Sequence, residues 1–185
     1  MSIAHTSPAL AQAAVAVPAA GSFVQQRHKP CLSLTRSREL IVACVPMRSN
    51  VNLSQIARTA SACAAERMIV CGNARLIDKI ARDASSALPI ERRRTLRPVL
   101  QRLAADGYRI VGLEQTTNSQ SLHRFVFPRR TVLVVGNERL GISEEVLSVV
   151  HDVVEIPVWG MPHSHNAATA ADMALYEYCR QFPTG

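Results

Sequence analysis

The feature that most constrains this chain is a pair of short, unbroken apolar runs in its C-terminal third, residues 132–135 and 153–156, each followed by a glycine-bearing loop. Runs without polar alternation read as strands covered on both faces, as in a parallel sheet. Gly136 ends the first run, and the polar loop Asn137-Glu138-Arg139-Leu140 leads to Gly141. Ser143, followed by Glu144 and Glu145, predicts a helix start: a capping hydroxyl with carboxylates at the positive end of the dipole. Pro157 stops the second run. Its loop holds Trp159, Gly160 and Pro162, then Ser164-His165-Asn166 at the mouth of an alanine-rich last helix. The reading sets the two strand ends side by side, in the crevice where an open α/β sheet binds its ligand.

Upstream, residues 40–45 read as the first strand, closed by Pro46. Asn52, with Gln55 three residues on, reads as a helix cap. Leu53, Ile56, Ala57, Ala60 and Ala64 mark the buried stripe of that helix, with Arg58 off the stripe and directed toward the strand ends. Further expected elements are a strand at 68–71, a helix at 75–82, a short strand at 88–91, a helix at 95–105 and a strand at 108–113. The alternation predicts an α/β fold, a mostly parallel sheet with helices on both faces. Residues 1–37 hold no acidic residue and read as a flexible Ala/Pro-rich leader before a single domain at 38–185. The Ala/Val patch at 9–20 is broken by Gln12 and Pro18 and lacks a basic flank, unlike a secretory signal. No stretch is long enough to span a membrane. A cytoplasmic protein is expected, organelle targeting by the leader being the alternative.

Lys and Arg number 21 against 14 Asp and Glu, a net charge of +7, which suits a polyanionic partner. Arg92, Arg93 and Arg94 read either as an RNA track or as the solvated start of a helix. The five cysteines form no CxxC pair, and Cys44 and Cys71 fall in expected strands as small buried residues. No HExxH occurs, His163 and His165 read as loop residues, and no metal is expected. Ile142, where a P-loop needs Lys, excludes a Walker motif, and no GxGxxG follows a strand.

Three segments carry a resemblance. Asn52-Leu53-Ser54 with Arg58-Thr59, then Gly136-Asn137-Glu138 with Gly141, then Ile156-Pro157, Gly160 and Ser164-His165-Asn166 resemble the three ordered motifs of the TrmH/SpoU RNA ribose methyltransferases of the SPOUT superfamily. The resemblance covers roughly residues 39–181. It implies a C-terminal trefoil knot, a homodimer, S-adenosylmethionine as cofactor, and methyl transfer to a ribose 2′-hydroxyl of RNA, transfer RNA before ribosomal RNA. It implies cofactor contacts at Leu133, Val134, Gly136, Ile156, Gly160, His165 and Asn166. It makes Arg58 the catalytic arginine, with Asn52, Glu138, Ser164 and Asn166 shaping the site. Taken singly, Asn52 would be a helix cap and Glu138 a loop carboxylate. The segment from Gly112-Leu113-Glu114-Gln115-Thr116 to Phe127-Pro128 is similar to eukaryotic-type members that methylate transfer RNA. The family commonly has Ser-Leu-Asn-Val-Ser where this chain has Ser164-His165-Asn166-Ala167-Ala168. The alanine face Ala167, Ala170, Ala171, Ala174 is expected to admit close packing against a mate. A non-catalytic RNA-binding protein and a base methyltransferase are the alternatives; the Asn52 to Arg58 segment favours ribose.

Overall fold

The computed structural model describes residues 21, 23–26 and 29–185, so much of the expected leader lies outside the described residues. The chain divides into two units, Met1–Leu32 and Ser33–Gly185. In the first, Phe23, Val24 and Leu32 are exposed. In the second the elements follow in the order β1 (Leu40–Cys44), α1 (Asn50–Ala62), β2 (Arg67–Cys71), α2 (Asp78–Ala81), α3 (Ala84–Ala87), β3 (Ile90–Arg93), α4 (Arg97–Ala105), β4 (Arg109–Leu113), β5 (Gln120–Ser121), β6 (Thr131–Val135), α5 (Glu144–Leu147), β7 (Asp152–Glu155) and α6 (Ala167–Gln181). No helix among the described residues is long and apolar enough to cross a membrane.

The strands form one sheet in the order β3-β2-β1-β6-β4-β7-β5, with every neighbouring pair parallel. The unbroken apolar runs go to the centre: β1 and β6 are buried at every position. Alternation then divides the core. Leu40, Val42 and Cys44 face the layer built by α1 and α6, whereas Ile41, Ala43 and Val45 face Leu100 and Leu103 of α4 and Val146 of α5. Burial pushes the Cys44 thiol far above the usual thiol range and raises that of Cys71, which disfavours the thiolate at both.

The expected α/β architecture is present, with local corrections. The ends of β6 and β7 are not neighbours, because β4 lies between them. Asn52 is not the cap of α1. Ser49 is: its hydroxyl accepts from the Asn52 backbone N–H, and Asn52 falls inside the first turn with its side chain free for other work. Ala64 lies beyond the helix in a left-handed turn, φ 51°, and is exposed. Ser143 occupies the capping position of α5 without a side-chain bond. The strand expected at 88–91 forms two residues later, so Arg92 and Arg93 ride an edge strand rather than a helix start.

The alanine face of α6 is also used differently. Ala171 and Ala174 are 0% exposed, packed within their own chain in the core shared with Ile56, Ala57 and Ala60 of α1. The solvent stripe of α6 is instead Thr169, Met173, Tyr176 and Arg180, spaced by four, three and four residues. Ala174→Asp is therefore expected to abolish cooperative folding, since an unpaired buried charge costs several kcal/mol against a total of about 5–15 kcal/mol. Gln101→Ala, at an exposed position of α4, should change stability by less than about 0.5 kcal/mol. Urea unfolding followed by circular dichroism checks both; an Ala174→Asp protein of wild-type stability would contradict this packing.

Candidate active site

A pocket of about 240 Å³ opens outside the carboxyl ends of β6, β4 and β7. Its wall holds Leu113 and Glu114 from β4's end, Val135 and Gly136 from β6's end, and Glu155 and Ile156 from β7's end. Ser164, His165, Ala167 and Ala170 close one side, and the loop 137–141 the other. The volume is below that of sites that engulf a whole cofactor. It takes a nucleoside-sized portion and leaves the rest of a larger ligand at the mouth.

The loop 137–141 is a tight hairpin. Asn137 and Gly141 exchange backbone hydrogen bonds in both directions at 2.9 Å. The Asn137 side chain accepts from the N–H groups of Arg139 and Leu140 and donates to the Pro46 carbonyl (2.7 Å). Gly141 has φ +63°, and a Cβ there would overlap the Glu114 carboxylate. A Cβ on Gly136 would lie 2.9 Å from the Gly141 carbonyl carbon and 3.0 Å from Glu114 Oε2. The two glycines thus serve close approach of chain to chain and chain to carboxylate.

The three sequence motifs meet in one chain of polar side chains. Asn166 Nδ2 donates to Asn52 Oδ1 (3.2 Å), and Asn52 Nδ2 donates to Glu138 Oε1 (3.1 Å). Glu138 also accepts from the backbone N–H groups of Ser49 (2.9 Å) and Arg48 (3.0 Å), at the N-terminus of α1. Asn166 caps α6, its Oδ1 accepting from Ala168 (2.9 Å) and Thr169 (3.3 Å). Partial burial of the Glu138 carboxyl opposes ionisation. The N–H donors of Arg48, Glu138 itself and Ser49, with the Asn52 amide, outweigh that and hold its pKa below the usual carboxylate value. With its oxygens so occupied, Glu138 is a tether between loop and helix rather than a general base.

The structure thus gathers Asn52, Glu138 and Asn166 into one network, and places Gly136, Ile156, Ser164 and His165 on the pocket wall. Leu133 and Val134 do not reach the pocket. They are buried mid-strand, one on each face of the sheet, and β6 meets the cavity only at Val135 and Gly136. Gly160 is exposed and off the wall, with open space where a Cβ would go. Arg92 and Arg93 are exposed on β3, at the far edge of the sheet, and Arg94 is exposed just past its end. Arg92 donates to the Ala74 carbonyl, and Arg93 pairs with Glu91.

Arg58 is exposed, has no hydrogen bond or ion pair among the described residues, and is absent from the pocket wall. It lies six residues past Asn52, about 9 Å along the helix axis, on the solvent stripe Val51, Gln55, Arg58, Ala62. Glu114, Gln115 and Arg139 line the pocket without having been singled out from sequence. The only signal for Glu114 was its place in the segment 112–116. Among the described residues no group of three His, Cys, Asp or Glu side chains could hold a metal ion.

The Glu138 tether has a pH signature. A carboxylate whose folded pKa is depressed contributes stability that is fully present above its ordinary value near 4.5 and fades as pH falls through the folded value. Glu138→Gln turns an NH₂ group toward donors and is expected to cost about 1–2 kcal/mol at neutral pH. That difference from wild type should shrink as the pH is stepped down below 4.5. Urea unfolding across this range checks it; a gap independent of pH would mean that the charge is not what holds the loop.

A profile of the SpoU rRNA Methylase family matches residues 39–176. The mouse tRNA (guanosine(18)-2′-O)-methyltransferase TARBP1 is 32% identical over 151 residues, 78% of this chain and 10% of that protein. The chain thus spans about a tenth of that relative's length. The A. aeolicus TrmH/SpoU tRNA modifying enzyme superposes with a TM-score of 0.76 at 27% identity, over 81% of this chain and 78% of that one. The SpoU methyltransferase AviRb from Streptomyces viridochromogenes, in complex with the cofactor AdoMet, superposes with a TM-score of 0.67 at 28% identity, over 82% of this chain and 64% of that one. All three motifs fall within the matched residues, which make up most of the chain: this chain belongs to the SpoU rRNA methylase family.

Proposed function

We propose that this protein transfers a methyl group from S-adenosylmethionine to a ribose 2′-hydroxyl of transfer RNA. The observation that carries the reading is the pocket at three strand ends, braced by the Asn166–Asn52–Glu138 network that joins all three motifs. The cofactor fits the lining: Leu113, Val135, Ile156, Ala167 and Ala170 offer apolar surface to a base, and Glu114, Glu138 and Glu155 favour a cationic ligand. AviRb, similar over most of this chain, was captured with AdoMet. The relative TARBP1 is named for guanosine in tRNA, which supports that substrate class.

Bound S-adenosylmethionine supplies an electrophilic methyl group. The protein's part is to position the hydroxyl and stabilise the charge that develops on it. Arg58 is assigned to the phosphate beside the target ribose and to the forming alkoxide; as a guanidinium it stays protonated, and the hydroxyl's proton is assigned to an oxygen of that phosphate as the sulfonium gives up its methyl group. Arg94 and Arg97 line a groove of about 320 Å³ that shares Asn137 and Gly141 with the pocket, which supports an RNA path beside the loop 137–141.

Two further features belong to this reading. A trefoil knot in the C-terminal segment is supported by the topology: β5, part of the connection from β4 to β6, lies outside β7, so that connection runs around the strand that follows it. A homodimer is supported by the solvent stripes of α1 and α6, which carry Val51, Met173 and Tyr176 exposed. Arg58 lies on the same α1 stripe, off its own pocket wall, which suits a site completed across two copies.

Calorimetry with S-adenosylmethionine, or quenching of Trp159, the only tryptophan and 85% exposed in the loop beyond Ile156, tests cofactor binding. Arg58→Ala should bind the cofactor as wild type does yet lose at least about 10²-fold in kcat, ~2.7 kcal/mol of transition-state stabilisation. Arg58→Lys should rescue little, since an ammonium lacks the planar fork. A wild-type rate from Arg58→Ala with saturating RNA and cofactor would remove the residue from the reaction.

Light scattering at micromolar concentration should give twice the 20.2 kDa chain mass. Tyr176→Asp should give the folded monomer, with activity falling alongside. A wild-type protein that is monomeric and fully active would reject the dimer.

A further inference from the structure

Glu114 is the residue immediately after β4, the strand inserted between β6 and β7, and it stands in the wall of the pocket. Its carboxylate is fixed in place. Oε2 accepts from the Ile142 backbone N–H (2.9 Å), and Oε1 from the Gln115 N–H (3.0 Å). Gly136 and Gly141 leave the room it occupies, since a Cβ on either would press on this carboxylate. A backbone hairpin shaped around one acidic side chain places that side chain at little entropic cost when ligand arrives.

An ionised carboxylate only accepts hydrogen bonds and has about four lone-pair sites. Two of these are taken by backbone N–H groups, and each oxygen keeps a free one. The other acids of the wall are held elsewhere. Glu138 holds three donors at the start of α1, and Glu155 Oε2 accepts from Ser119 Oγ (2.7 Å) near the sheet edge. Leu113, Val135, Ile156, Ala167 and Ala170 add apolar surface to the wall, suited to the flat face of a base. A nucleoside adds to that face a vicinal pair of hydroxyls, two O–H donors that need acceptors once water is displaced.

We propose that Glu114 is the ribose-recognition residue of the pocket, accepting hydrogen bonds from the vicinal hydroxyls of the cofactor's nucleoside. The chemistry is that by which a carboxylate at a strand end selects ribose in dinucleotide-binding sheets. The proposal rests on the S-adenosylmethionine reading above. It adds that the segment 112–116 contributes directly to the cofactor site, through β4, and that the glycine hairpin exists to present this acid.

The test is calorimetry of wild type and Glu114→Gln with S-adenosylmethionine and with its 2′-deoxy and 3′-deoxy analogues. Wild type should bind at least one deoxy analogue roughly 10- to 100-fold more weakly, the range for a hydrogen bond to a charged group. Glu114→Gln should lose a similar factor on S-adenosylmethionine itself and discriminate little between the ligands. A merely structural Glu114 would weaken all ligands in parallel and keep the wild-type ratio, which would overturn the proposal. So would a wild type that binds the deoxy analogues as tightly as the parent, a result that needs no variant to fold. A loss confined to an analogue lacking the α-amino group would place the carboxylate at the amino-acid end and reject the ribose assignment. Absence of any binding by wild type would sink the methyltransferase reading itself, an outcome separate from binding that ignores the ribose.

Discussion

Three side chains, Asn166, Asn52 and Glu138, hold this site together, and most of the local structure follows from their hydrogen bonds. Each brings one chain segment to the others. Glu138 brings the loop after β6 and clasps the N-terminus of α1; Asn166 caps α6; Asn52 joins them from inside the first turn of α1. Backbone N–H groups at the helix starts need acceptors: the Asn166 oxygen serves the first turn of α6, and the Glu138 carboxylate serves the residues leading into α1. The polar residues of the motifs therefore act first on one another. Removing one would leave partners unsatisfied, so its effect on stability and its effect on the pocket cannot be separated by a single substitution.

The electrostatics divide in two. The chain is basic overall, +7, yet the pocket wall presents Glu114, Glu138 and Glu155 beside one cation, Arg139. A cationic small molecule and a polyanion thus meet different surfaces. The acids are gathered inside a concave site where a cation's charge is best compensated. Arg94 and Arg97 line the neighbouring groove, and Arg58 stands on an exposed helix stripe. The loop 137–141 forms a wall common to both cavities, so a shift of that hairpin would be felt on both sides.

The strands and their faces were legible because alternation and unbroken apolar runs are local signals. The runs at β1 and β6 gave the buried centre of the sheet directly. Strand order was not legible: nothing local says that β4 enters between β6 and β7, and that insertion is what brings Glu114 to the pocket. Asn52 was misread as a cap because Asn favours that position, whereas Ser49, three residues earlier, takes it. The assignments of Leu133 and Val134 followed the motif rather than the geometry, for a strand buried on both faces can offer a ligand only its end. The alanine face of α6 was seen correctly as a close-packing surface, but small residues carry no label for which helix they approach. Ala171 and Ala174 were taken by α1 of the same chain.

The departures around Asn166 follow from the same network. The family commonly places Leu before this Asn and Val-Ser after it; here His165 precedes it and Ala167-Ala168 follow. The Asn166 side chain alone makes the bonds the fold needs at this point, accepting from Ala168 and Thr169 and donating to Asn52. Those acceptor bonds go to backbone N–H groups, which any residue but Pro provides. Ala168 is buried, so its small side chain suits close approach of α6 to the sheet, while His165 is exposed at the pocket rim where a leucine backbone would serve equally. The neighbours can change because their side chains are not in the chain of bonds. Asn166 cannot: Asp would accept at the cap but has no N–H₂ to offer Asn52, and Ser would be too short to do both.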